Sequence, residues 1–162
     1  MTRRAEPDDM VAIVGLWKRF MEEEKEAIPD PQVDGVESRW KERLRQQIAG
    51  KRVIVAETGR SVCGFLGFID STDRVCIPQG VAYVVDLYVA PEARRGSAAK
   101  DLFSTLLEAA GGAYSEVWTN TNVRNVRMQK LLKRAGFAPM TGFAIGGLKD
   151  NLYYRLFLKG AQ

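Results

Sequence analysis

The sequence has no histidine, and its two cysteines, Cys63 and Cys76, lack metal-ligand spacing. Those absences exclude a His-based triad and a Cys-His nucleophile pair, and leave nothing from which a structural zinc site is built. No apolar run approaches the roughly 20 residues that span a bilayer. The leading MTRRAEPDD has no apolar segment of the kind a secretion signal needs, so the expected address is cytoplasmic. There are no internal repeats, low-complexity tracts or interdomain linkers.

What is present is ordinary globular composition, with 46% apolar and 27% charged residues, which argues against disorder. A length of 162 residues holds one core and is short for two, so a single domain over 1–162 is expected. The net charge of +4 is modest. One basic group, Arg39, Lys41, Arg43, Arg45, Lys51 and Arg52, is broken by Glu42 and reads as a solvated helix face. A second, Arg124, Arg127, Lys130, Lys133 and Arg134, falls on one helix, where an anionic ligand competes with simple solvation. No aromatic-basic surface motif marks a nucleic-acid binder.

Met10, Ile13, Val14, Trp17, Phe20 and Met21 recur at helical spacing and predict a helix from Asp8 or Asp9 to Lys25, ended before Pro29 and Pro31. Val36, Trp40, Leu44 and Ile48 predict a second over 35–49, closed by Gly50. Residues 52–57 and 62–69 read as a hairpin, with Gly64 and Gly67 marking a bulge or a close approach. Val81–Val89 is a central strand with both faces mostly apolar, Asp86 excepted. A helix stopped by Gly111-Gly112 follows. Then come a strand over 114–119, a helix capped from Thr119–Asn122 and closed by Gly136, and strands over 137–145 and 152–158 around the loop 146–151. This order gives an α+β fold, a mainly antiparallel sheet with helices.

The most informative stretch is VVDLYVAPEARRGSAAKDLF, from Val84 to Phe103. A buried strand runs through a Pro-marked turn into a small-residue loop that opens onto an amphipathic helix. Such a loop aims unpaired backbone N–H groups at one point, where the helix dipole also favours negative charge. Arg94 and Arg95 add phosphate donors, so the stretch reads as a pyrophosphate cradle.

With that reading in place, the chain resembles the GCN5-related N-acetyltransferase (GNAT) family. That family binds acetyl-CoA through Gln/Arg-x-x-Gly-x-Gly/Ala at such a junction. Arg94-Arg95-Gly96-Ser97-Ala98-Ala99 fits, with Ser97 in place of the middle glycine, and Asn125 through Gly136-Phe137 supplies the family's second block. The resemblance implies a splayed mixed sheet, with Thr2 to Ala5 as a short first strand. The backbones of Leu87 and Val89 would serve the acetyl oxygen and the pantetheine amides. Cofactor contacts would run over Leu87, Tyr88, Val89, Arg94, Arg95, Gly96, Ser97, Ala98, Ala99 and Lys100, with Asn125 and Arg134. It further implies an amine acceptor held by residues 20–36 and 146–151, where Glu22, Glu23, Glu24 and Glu26 stand, and homodimers are common among relatives.

Acyl transfer from a thioester needs positioning, an unprotonated amine and oxyanion stabilisation. Asp86, in an apolar strand, is expected to have a raised pKa and to orient or deprotonate the amine; the alternatives are a cap on a neighbouring loop or a pair with one of the arginines. Tyr83 stands where some relatives carry a glutamate base, but it reads first as a packed strand tyrosine. Where many relatives carry a tyrosine acid the chain has Leu132, which leaves acid-free transfer or substitution by Tyr153 or Tyr154. Direct transfer in a ternary complex is expected, since neither cysteine lies in the motif blocks and no metal is called for. The rival readings are a longer acyl donor, a non-catalytic acyl-CoA-binding or partner-binding module, and a small basic nucleic-acid binder.

Overall fold

The computed structural model describes residues 1–23, 35–141 and 150–158. Among them, seven strands form one sheet: β1 (Thr2–Arg4), β2 (Val53–Thr58), β3 (Ser61–Ile69), β4 (Val81–Val89), β5 (Glu116–Asn122), β6 (Ala138–Met140) and β7 (Asn151–Phe157). Their order is β1-β2-β3-β4-β5-β7-β6. The helices are α1 (Met10–Glu23), α2 (Val36–Ala49), α3 (Ala98–Ala110) and α4 (Val126–Arg134). The expected α+β class with a mainly antiparallel sheet is what the chain adopts.

The chain divides into two compact units, Met1–Gly67 with Asp86–Leu102, and Phe68–Val85 with Phe103–Gln162. In the first, β2 pairs antiparallel with β1 and with β3, and the ladder to β3 shifts register between Ala56 and Glu57. Its core is Ile13, Leu16 and Trp17 of α1, Trp40, Leu44 and Ile48 of α2, and Val53, Val55, Phe65 and Tyr88 of the strands. Trp17 and Trp40 stack with ring centroids 4.6 Å apart. Each such side chain contributes roughly 1.5–3 kcal/mol by leaving water. Gly64 is a close approach, as expected: a Cβ there would lie 2.9 Å from the Tyr88 carbonyl oxygen.

In the second unit β4 pairs parallel with β5, Val81–Val84 against Glu116–Thr119, while β5 and β6 both pair antiparallel with β7. Ile69, Ile77, Val81, Tyr83 and Trp118 form its recorded core cluster.

Several boundaries differ from the periodicity. A 3-10 turn at Pro7–Asp9 takes the place of the first helical residues, and Lys25, Pro29 and Pro31 lie outside the described residues. Gly50 closes α2 with its N–H on the Gln46 carbonyl, but the left-handed residue is Lys51, at φ 56°. A Cβ at Gly50 would lie 3.0 Å from Arg52 Nε, a tight contact that the Arg52 side chain would have to relieve. Strand β5 starts at Glu116 rather than Tyr114 and runs on to Asn122, because pairing with β7 claims those residues. The cap of α4 therefore falls to Asn125 instead of Thr119–Asn122, its Oδ1 accepting the Met128 N–H at 3.0 Å. Gly136 closes that helix at φ 90°, as expected. Only Ala138–Met140 of the strand predicted over 137–145 is recorded as strand, and residues 142–149 lie outside the described residues.

Candidate active site

Strand alternation sends Asp86 and Tyr88 to one face of β4, and there they meet α1 and α2. Asp86 Oδ1 accepts from Trp40 Nε1 at 3.2 Å and from Arg43 Nη2 at 3.1 Å, and Oδ2 accepts from the same Nη2 at 2.8 Å. Its side chain is 15% exposed. Burial pushes the carboxyl above the ordinary aspartate range; the Arg43 charge and the hydrogen bonds from Trp40 and Arg43 pull the other way without cancelling it. Both halves of the sequence expectation are thus present, a raised pKa and a partner arginine. The partner comes from the basic group read as a solvated face. Arg45 and Lys41 of that group do make surface pairs, with Glu42 and Glu37, whereas Arg43 turns inward.

Tyr88 donates to Glu23 Oε1 at 2.5 Å, and Arg94 Nη2 donates to Glu23 Oε2 at 2.5 Å. Arg94 also donates from Nε to the Val89 carbonyl at 2.8 Å and lies over the Tyr88 ring. Burial and the Glu23 hydrogen bond push the Tyr88 phenol up to about 12. Burial works upward on Glu23 as well, but its hydrogen bonds from Tyr88 and Arg94 outweigh that and hold it low. Arg19 of α1 grips Glu92 with both Nη atoms, at 2.9 and 2.8 Å, and brings that carboxyl down to about 2. Two ion pairs from α1 therefore fasten the loop that follows β4.

That loop passes through a 3-10 turn at Pro91–Ala93 and enters α3 at Ala98. The Asp101 N–H closes the first turn onto the Ser97 carbonyl at 2.9 Å, and the Ser97 hydroxyl donates to Asp101 Oδ2 at 2.6 Å. Among the described residues, no backbone partner is recorded for the N–H groups of Ser97, Ala98, Ala99 and Lys100. Arg95, Gly96, Ser97 and Lys100 are exposed, and a Cβ on Gly96 would meet only the Ala93 carbonyl, at 3.6 Å. Free N–H groups, small side chains and flanking cations fit a diphosphate. A cavity of about 310 Å³ is lined by Gly96, Ser97 and Ala98 of the same loop, together with Glu57, Glu92 and Asp101; Glu57 and Glu92 are each paired with an arginine.

The other candidates fall as follows. Leu87 is half-buried and Val89 buried on β4. Tyr83 is buried with Ile69, Ile77, Val81 and Trp118, and burial, with Tyr153 adding to it, pushes its phenol above the ordinary value. Asn125 and Arg134 are exposed at the two ends of α4, in the second unit. Leu132 is fully buried, and Tyr153 and Tyr154 are 3% and 2% exposed. Of the acceptor segment, Glu24 and Glu26 and most of the loop 146–151 lie outside the described residues. Sequence reasoning missed the contacts that Trp40, Arg43, Glu23 and Arg19 make. Arg43 and Gln47, one turn apart beside the Trp40–Leu44–Ile48 stripe, were the readable signal of a polar edge facing inward. Among the described residues, no cluster of Cys, Asp or Glu is placed to hold a metal ion.

Residues 16–137 match the model of the Acetyltransferase (GNAT) family, and the chain belongs to that family. It is an acetyl-CoA-dependent acetyltransferase, acting on an amine acceptor of unspecified kind. Among solved structures, the chain is similar to a ribosomal-protein-alanine N-acetyltransferase from Brucella melitensis. The two are 21% identical at TM-score 0.76, covering 98% of this chain and 99% of that one. It is also similar to yncA from Salmonella typhimurium, solved with its cofactor acetyl-CoA, at 20% identity and TM-score 0.73 over 99% and 94% of the two chains. A GNAT acetyltransferase from Bacillus cereus stands at 20% and 0.70, covering 97% and 96%. At these identities the likeness concerns the fold. The sequence matches none of the curated proteins with which it was compared.

Proposed function

We propose that the protein moves an acetyl group directly from acetyl-CoA to a primary amine of a small molecule or peptide, within a ternary complex. The observation that carries this reading is the single stretch Asp86–Lys100. It joins a largely buried carboxylate with raised proton affinity to a helix start where, among the described residues, the N–H groups of Ser97, Ala98, Ala99 and Lys100 have no backbone partner. Acetyl-CoA supplies an activated acyl carbon with a thiolate as leaving group. The N–H groups of Ser97, Ala98, Ala99 and Lys100 hold the diphosphate, with Arg95 beside them. The Leu87 backbone faces the acetyl oxygen, and Asp86 takes a proton from the acceptor ammonium. No acid is required of Leu132, because a thiolate of ordinary pKa ~8.5 leaves unaided. Direct transfer is supported by the thiols: Cys63 is buried on β3, and Cys76, in the segment after it, lies outside both motif blocks in the sequence. Free thiols also suit a reducing, cytoplasmic setting.

The test is steady-state release of CoA from acetyl-CoA with a panel of aliphatic amines, amino acids and short peptides with free N-termini. Intersecting double-reciprocal lines are expected with the best acceptor. Parallel lines would point to an acyl-enzyme and overturn direct transfer, and no release above hydrolysis with any amine would overturn the acceptor class.

A further inference from the structure

The Asp86 carboxylate is not held symmetrically. Oδ1 takes two hydrogen bonds, one from Trp40 Nε1 and one from Arg43 Nη2, while Oδ2 takes only the second branch of the Arg43 fork. Trp40 is itself immobilised: it stacks on Trp17 and meets the Phe65 ring edge-on at 6.2 Å, so its N–H is aimed by the core. Arg43, three residues on along α2, approaches end-on through a single nitrogen, and its buried Nε has no hydrogen-bond partner. Across from them lies Gly67 of β3, where a Cβ would come into ordinary contact with Oδ2 and with Gln47 Nε2, each at 3.4 Å. The other charged neighbours on this face are engaged elsewhere: Glu23 holds Tyr88 and Arg94.

We propose that Arg43 and Trp40 are positioning residues, which saturate Asp86 Oδ1 and leave Oδ2 as the oxygen that receives the acceptor's proton. The inference rests on the acetyl-transfer reading above and deepens it. One proton of the acceptor ammonium passes to Oδ2, which leaves the nitrogen lone pair free to form the new N–C bond; the C–S bond then breaks with its electron pair on the thiolate, the second nitrogen proton passes to that thiolate, and the protonated carboxyl returns its proton to solvent after turnover. An end-on, single-nitrogen pair suits this task better than a parallel two-nitrogen fork, which would occupy both oxygens equally and hold the carboxylate ionised. The neutral Trp40 donor fixes orientation and adds no formal charge, though its hydrogen bond also favours the ionised carboxylate. Burial still dominates the carboxyl's proton affinity with an arginine in contact.

The experiment compares Arg43→Gln, Arg43→Lys and Trp40→Phe with wild type. It uses acetyl-CoA and the panel amine of highest turnover, across pH, together with a ¹³C-carboxyl NMR titration of Asp86. Arg43→Gln removes the positive charge and Trp40→Phe a donor to the carboxylate, so in both the acid limb of kcat/KM moves to higher pH, together with the NMR midpoint. Loss of aim also lowers plateau kcat roughly tenfold to a hundredfold, with KM for acetyl-CoA unchanged. Arg43→Lys keeps the charge and leaves the limb near its wild-type position. A limb that stays put in Arg43→Gln and Trp40→Phe while the NMR midpoint moves would overturn the proposal and leave acetyl transfer standing. A wild type that acetylates no amine would instead remove the reading beneath it, and the NMR titration would still report the carboxylate. Should Arg43→Gln fail to fold, Trp40→Phe carries the same test.

Discussion

Asp86 works against the fold it sits in. Because its folded-state pKa is raised, the native state holds the proton more tightly than the unfolded chain, so stability falls as pH rises through the titration. A group kept against stability is the mark of a site under another demand. Asp86→Asn should therefore cut kcat by roughly 10²-fold or more, in the range of general-base catalysis, while calorimetry shows CoA binding nearly unchanged. In thermal melts the variant should gain on wild type as pH rises above about 4. Unaltered turnover from a folded variant would return Asp86 to a purely structural part. Tyr88 behaves differently. With its phenol pushed up to about 12 it stays neutral and donates to Glu23 at any physiological pH, fastening α1 to β4.

The loop and the start of α3 separate folding from binding in a way that substitution can read. Gly96 does not have a positive φ, and its missing Cβ has ordinary room. Gly96→Val should thus fold with an unchanged melting temperature, yet obstruct a ligand that approaches the backbone. CoA affinity should fall at least tenfold by titration calorimetry, about 1.4 kcal/mol. Equal affinity in the two proteins would place the diphosphate elsewhere. Helix α4 gives the contrasting case. Asn125→Ala deletes the acceptor for the Met128 N–H, and urea unfolding should report a loss of about 1 kcal/mol.

For the molecule as a whole, the join of β1, β2 and the entry to α1 is electrostatic. Arg3 forks onto Asp9 at 2.8 and 2.9 Å and reaches Glu57 at 2.7 Å, while Asp9 also accepts the Glu6 N–H at 2.7 Å. The Arg3 hydrogen bonds lower the Asp9 pKa. A depressed carboxyl contributes stability above its unfolded pKa and loses it as pH falls through the folded value. Asp9→Asn should cost roughly 1–3 kcal/mol at neutral pH, and the gap from wild type should narrow below about pH 4. A gap that holds constant to pH 2 would show that Asp9 acts by shape alone.

The sequence by itself determined the element order, the α+β class and the small-residue loop that opens onto α3. Each of these is written locally, in the spacing of Val36, Trp40, Leu44 and Ile48, in the alternation along Val81–Val89, and in the small residues from Gly96 to Ala99. It also foretold a raised Asp86, since an acid in an apolar strand is buried in any packing that hides the strand. Tertiary structure decided which arginine would answer that acid. Arg43 shares its edge of the helix with Gln47, a hint that it turns inward, but only the packing of α2 sends it to Asp86 and leaves Arg45 with Glu42 at the surface. It decided, too, that Arg94 would turn back to Glu23, and that Leu132 would be sealed in the core rather than line a site. Those outcomes depend on partners distant along the chain, and a local pattern carries no distances.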